Sequence, residues 1–217
     1  MTAASSPPDR FAVCFSGGSG AAYGIRLVEV LLAAGHEVHL CATEAAVRVL
    51  VHEAGARLDF AAPDLASLFA EPLRARLRVH ARDAVEATPA SGSAGIRAVI
   101  VVPCSMGTLA RIAHGFSSNL VERAADVALK EGRPLVVVPR ETPLSVVHLE
   151  NLLALARLGA IVLPAMPGFY HRPQRVEQLV DFVVGKILDR LRVPHELVRR
   201  WQTPAEPARS PWDEGEA

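Results

Sequence analysis

The chain is nearly without lysine. Of its 23 basic residues all but Lys130 and Lys186 are arginine. A lysine places a compact charge on a flexible stem, which the planar arginine fork does not copy. Two lysines kept in so arginine-rich a chain are therefore candidates for a role, set against the default of a solvated helix face. Net charge is also lacking: 23 basic residues meet 23 acidic ones. That balance argues against a protein that binds nucleic acid through its overall field, although a local patch escapes such a sum. No apolar run approaches the roughly 20 residues of a membrane helix. Cysteines are few, isolated and odd in number, namely Cys14, Cys41 and Cys104. They read as buried thiols in a reducing compartment rather than as disulfides. Met1 to Arg10 is polar and carries proline, unlike a secretory leader, so cytoplasm is the expected location. No His-Glu-x-x-His or Cys-x-x-Cys spacing occurs, and His36 and His39 fall on opposite faces of an expected strand, so no metal is expected. A Gly-x-Ser-x-Gly nucleophile elbow is missing too.

What is present is half apolar and alternates strand with helix. Strands are expected at about 11–15, 37–41, 98–102, 134–139 and 160–163, with a further one possible at 77–80. Helices are expected at about 21–34, 44–54, 104–114, 120–131, 145–158 and 176–191. Residues 1–10 and 202–217 read as disordered tails around one domain, 11–201. The alternation predicts an α/β fold: a parallel sheet covered by helices on both faces. In such sheets ligands lie beyond the carboxyl ends of the strands.

The chain is organised around Ser16-Gly17-Gly18-Ser19-Gly20-Ala21-Ala22-Tyr23-Gly24. An apolar run leads in and a helical pattern leads out, which is the arrangement that offers bare N–H groups and a helix dipole to an anion. The dinucleotide fingerprint fails here. Its third glycine is due where Tyr23 stands, Gly24 comes one place late, and the acidic residue for a ribose diol is missing. Thr43 occupies that region and suits a phosphate or a ribityl chain. A mononucleotide such as flavin fits, and a plain tight turn fits as well. Other candidates also follow strands. Cys104-Ser105-Met106-Gly107-Thr108 is a second strand-to-helix turn, or simply a cap by Ser105. Arg140-Glu141, between Pro139 and Pro143, offers a phosphate clamp and a proton carrier, or a surface ion pair. Tyr170 lies in an aromatic loop that either lines a pocket or packs on the core.

Together these segments resemble the flavin prenyltransferases, formerly described as aromatic-acid decarboxylases. The matching pieces include 16–24, Ala90-Ser91-Gly92-Ser93, 103–108, Arg123 to Glu131, Pro139-Arg140-Glu141-x-Pro143, His148-Leu149-x-Asn151, Pro167 to His171 and Arg200-Trp201. The resemblance implies a Rossmann-like, flavodoxin-type subunit assembled as a dodecamer, with sites at subunit interfaces. It implies transfer of a dimethylallyl group from dimethylallyl phosphate to N5 and C6 of reduced FMN without a metal. The prenylated FMN would serve a UbiD-type decarboxylase. By the same resemblance Gly18, Ser19, Gly20, Thr43, Ser105, Met106, Gly107, Thr108 and Arg140 would hold the flavin. Tyr170, Lys186 and Lys130 would hold the prenyl phosphate, with Arg123 and Glu53 as supporting polar groups. Glu141, Lys130 and Ser19 would take part in the chemistry, Glu141 as the acid/base. Thr43 stands where serine is common, Lys186 where arginine is common and Gly18 where alanine is common. An aromatic usual before Ala90 is replaced by residues such as Val85. Two other readings remain at this point: a flavin-dependent cysteine decarboxylase, and a flavin-binding or delivery module without chemistry.

Overall fold

In a computed structural model, which describes residues 8–198, the chain forms one six-stranded sheet. The strands are β1 (Arg10–Phe15), β2 (Glu37–Ala42), β3 (Leu77–Val79), β4 (Ile96–Cys104), β5 (Leu135–Pro139) and β6 (Ile161–Val162). The helices are α1 (Ala21–Ala33), α2 (Glu44–Ala54), α3 (Glu71–Arg74), α4 (Met106–Ala113), α5 (Leu120–Lys130), α6 (Val146–Arg157) and α7 (Val176–Leu191). All neighbouring strands are parallel, in the order β3-β2-β1-β4-β5-β6. Without the three-residue edge strand β3, this is the flavodoxin order. The expected α/β class and its covered parallel sheet are what the chain adopts. Arg200-Trp201, most of the tail before Arg10 and the tail after 201 lie outside the described residues.

Strand alternation divides the core into two. Phe11, Val13 and Phe15 of β1 pack with Ala98, Ile100 and Val102 of β4 under α1, α2 and α7. Ala12, Cys14, Val99 and Val101 face the other way, onto α4, α5 and α6. That second face is built from small residues. Ala124, Ala125 and Ala128 let α5 approach the sheet closely, and all three are fully buried. The three thiols share this layer, with Cys41 Sγ 3.4 Å from Cys14 Sγ and no disulfide among them. Burial pushes the Cys104 thiol up to about 12. Cys104 is thus an inert, protonated packing group.

Two expectations change. β4 runs on through Pro103 to Cys104, past the expected end at Val102. The proline costs nothing there: the β4–β5 register breaks between Val101 and Cys104, and the Pro103 carbonyl accepts from Ser16 N–H instead. His36 precedes β2 rather than belonging to it, and its ring packs edge-on against Phe11. Among the described residues no helix is long and apolar enough to cross a membrane.

Candidate functional site

β1 and β4 are adjacent, yet their chains leave in opposite directions across the sheet, so a crevice opens between their carboxyl ends. The glycine loop and the Ser105 loop form its walls. Ser16, 1% exposed, fastens them together. Its hydroxyl donates to the Pro103 carbonyl (3.0 Å) and accepts from Ser105 N–H (2.7 Å). Gly18 lies against the same segment: a Cβ there would come within 3.3 Å of Cys104 C and Ser105 N. Gly20 caps α1 in the left-handed region, φ 110°, where a side chain would be strained. Gly24 brings α1 down onto the sheet, since a Cβ would meet the Phe15 ring at 2.5 Å. The close-packing glycine of the dinucleotide pattern is thus present, displaced by one residue.

The α1 N-terminus is not bare, as the sequence suggested. Glu53 Oε2 accepts from the N–H groups of Gly20 (2.8 Å) and Ala21 (2.9 Å). Burial alone would raise its carboxyl, but the Ser19 hydroxyl, these two N–H groups and the Arg140 charge outweigh burial and hold it below its ordinary value. Glu53 is an internal anion at a helix N-terminus. Arg140 lies close enough to act on Tyr23 as well, whose phenol is raised by burial and lowered in part by Arg140.

Thr43 and Ser105 are both caps: Thr43 Oγ1 accepts from Ala46 N–H (3.2 Å), and Ser105 Oγ accepts from Thr108 N–H (3.3 Å) and donates to Thr108 Oγ1 (3.1 Å). Capping does not exhaust them. The first turn of α4 leaves Met106 and Gly107 N–H without intrahelical partners. A Cβ on Gly107 would touch nothing within 4 Å, so that turn faces open space. Arg140 and Glu141 are both exposed and form no ion pair with each other; Glu141 Oε1 accepts from Thr142 N–H (3.0 Å). The surface-pair reading of this dipeptide therefore fails.

Tyr170 and Lys186 form a second group. The Tyr170 ring packs edge-on to Phe182 (5.7 Å), His171 stacks on Phe182 (5.3 Å), and Lys186 Nζ lies 5.6 Å from the same ring. Arg123 sits in the first turn of α5 and pairs with Asp126 (3.2 Å).

Lys130 is not brought to the crevice within one chain. It ends α5, just before β5 begins, which places it at the amino-end edge of the sheet. There it pairs with Glu131 (2.9 Å), and Glu131 backs the Gly92 segment that precedes β4. The nine residues of β4 separate the two edges by about 25–30 Å.

Two residues were missed as site components. Ser16 and its bonds are invisible to spacing because its partners lie 87 and 89 positions away. Glu122, 2% exposed, anchors the α4–α5 turn by accepting from Arg111 Nε (2.5 Å) and Ser118 N–H (2.8 Å). A buried carboxylate at a helix start, three residues after Asn119, is the signal that was available.

Known proteins fit this architecture. The Flavoprotein family model matches residues 2–188. A flavin prenyltransferase UbiX from Pseudomonas aeruginosa is 47% identical over 199 residues, covering 90% of this chain and 95% of that protein. A crystal structure described as AnUbiX (PadA1) in complex with FMN and dimethylallyl pyrophosphate superposes with TM-score 0.80 at 36% identity, covering 92% of this chain and all of that one. A dodecameric FMN-dependent UbiX-like decarboxylase from Escherichia coli O157:H7 gives TM-score 0.77 at 40% identity, covering 89% of this chain and 99% of that one.

Proposed function

Because the chain belongs to the flavin prenyltransferases of the Flavoprotein family, we propose that it joins the dimethylallyl group of dimethylallyl phosphate to reduced FMN at N5 and C6, releasing phosphate. The observation that carries this reading is the match, over 92% of the chain, to a structure holding both FMN and a dimethylallyl donor. The crevice suits FMN on its own chemistry. Its donors are the first-turn N–H groups of α4, the Thr43 and Thr108 hydroxyls and Arg140, which forms no ion pair among the described residues, a set for a phosphate and a polyol rather than for a metal.

When bound, reduced FMN supplies the nucleophilic N5 and C6 positions. The chain's share is placement and proton handling. Gly18, Ser19, Gly20, Thr43, Ser105 to Thr108 and Arg140 would hold the flavin. Glu53 fixes Gly20 and Ala21, so the loop is set before any ligand arrives. Ser19, bound to the same carboxylate, is oriented rather than free. Tyr170 and Lys186 would receive the prenyl phosphate, where a cation and a phenol favour the leaving anion. Glu141, exposed and without an ion pair among the described residues, is placed to pass a proton to that phosphate or to take one from C6. Lys130 can join only from a second copy. An apolar stripe along α6 supports such an assembly: Val146, Leu149 and Leu153 are 70%, 52% and 49% exposed. We accordingly propose a homo-oligomer, of the dodecameric kind described for the Escherichia coli relative, with 11–201 as one domain in the cytoplasm. A UbiD-type decarboxylase would take the product.

Phosphate release tests this directly. Anaerobic mixing with reduced FMN and dimethylallyl phosphate should release one phosphate per flavin consumed, and none when either partner is omitted. Release from the diphosphate alone would revise the donor. No release with FMN bound would return the protein to the carrier reading.

A further inference from the structure

The face of α2 turned away from the glycine loop borders a second space. Ala45 and Glu53 look toward the loop, whereas Glu44 and Val47 line a cavity of about 690 Å³ together with Phe60, Leu65, Val79 and His80. This is the size of a small-molecule site, and its walls mix apolar side chains with Glu44, His80, Arg82 and Asp83. The proposed prenyl transfer uses none of these residues.

His80 is one such placed group. Its Nε2 lies 2.9 Å from His39 Nδ1, and His39 Nε2 lies 2.8 Å from Glu37 Oε1. The carboxylate only accepts, so His39 carries its proton on Nε2. His39 Nδ1 must then accept, which puts the His80 proton on Nε2 and leaves the His80 Nδ1 lone pair free. His39 is 4% exposed, so the chain of tautomers is locked by packing. Burial lowers both imidazoles, His39 against the pull of Glu37, and His39 lowers His80 further, so the pair is neutral at pH 7. At the rim, Glu44 accepts from Arg48 (2.9 Å) and Arg82 (3.0 Å), so its carboxylate is engaged by two guanidinium groups. The Asp83 carboxylate has no such partner among the described residues. Along the His80–Asp83 side of the cavity the open polar valences are thus two acceptors, one of them negative. A ligand with N–H donors would find both of these groups ready.

We propose that this cavity is a second ligand site, for a small apolar molecule that presents an amine or ammonium group to His80 Nδ1 and Asp83. None of its lining residues is assigned to the flavin, so binding here is read separately from prenyl transfer.

Three probes of one skeleton test it: 2-phenylethylamine, 2-phenylethanol and 3-phenylpropionate, titrated into the full-length protein with ¹⁵N-labelled histidine. In the free protein His80 should report the Nε2–H tautomer. The amine should bind saturably and move the His80 Nδ1 resonance, and the carboxylate should not. Asp83→Asn, a change at an exposed side chain, should weaken the amine by about two- to five-fold. His80→Phe should abolish the saturable response. Alcohol or carboxylate binding as tight as the amine, no saturable response from any probe, or unchanged amine affinity in Asp83→Asn would overturn the assignment. Because Asp83→Asn does not disturb the buried relay, a folding failure of His80→Phe leaves the test intact.

Discussion

The two edges of the sheet carry the same charged residue types in different states. At the amino-end edge every cation named is engaged: Lys130 with Glu131, Arg97 with Asp9, Arg133 with the Gly92 carbonyl and Arg10 with Glu37. At the carboxyl-end edge Arg140 and Glu141 sit side by side in the chain without pairing, while Glu53 is used to hold backbone N–H groups. Pairing satisfies a surface; unpaired neighbours held on a stiff strand end are available to a ligand. We read the carboxyl-end edge as a prepared half-site. The other holds Lys130 in its pair with Glu131.

The largest expected effect is at Glu141. Glu141→Gln should cut prenyl transfer by about 10²- to 10⁴-fold while FMN affinity stays within experimental error; equal losses in both would place Glu141 in binding instead. Subunit mixing comes next. Lys130→Ala and Glu141→Gln should each be nearly inactive, and assemblies reconstituted from equal parts of both should recover about a quarter of the sites if the two residues come from different copies. No recovery would put both in one chain's site, against the geometry. Ser16→Ala should lower stability by about 1–3 kcal/mol, because Ser105 N–H loses its partner in a buried setting. That is read by denaturant melting with an unchanged m-value, accompanied by weaker FMN binding. Lys186→Arg should lower the KM for the donor by less than about ten-fold, as a fork grips a phosphate at two points where an ammonium offers one. The smallest effect is in acid. The Glu53 carboxyl is depressed in the folded chain, so its contribution is complete above the ordinary carboxylate value of about 4.3 and is lost as pH falls through the lower folded value. Glu53→Gln should flatten that part of the stability profile and leave neutral pH unaffected in slope.

The strand–helix alternation was legible because buried parallel strands and amphipathic helices have distinct periods. The caps at Thr43 and Ser105 were legible because capping is a local bond, three residues long. What spacing could not reveal were contacts across the fold. Glu53 reaches Gly20 over 33 positions, and that bond changes the loop from an open anion site to a braced one. Ser16 reads as the start of a glycine loop but works as the fastener between β1 and β4. Lys130 was singled out by composition and by the family resemblance. Its edge follows from the alternation, since a helix that precedes a parallel strand ends beside that strand's amino end, but its pairing with Glu131 needed side-chain positions. The Glu37–His39–His80 relay joins β2 to the residue just past β3, 41 positions apart at its histidines, beyond any motif.

The mass of the flavin recovered after anaerobic incubation with reduced FMN and dimethylallyl phosphate tests the account most directly. A gain of one five-carbon unit, absent from Glu141→Gln, is the predicted result. Unmodified FMN recovered from a protein that binds it tightly, with phosphate and diphosphate donors both supplied, would contradict it.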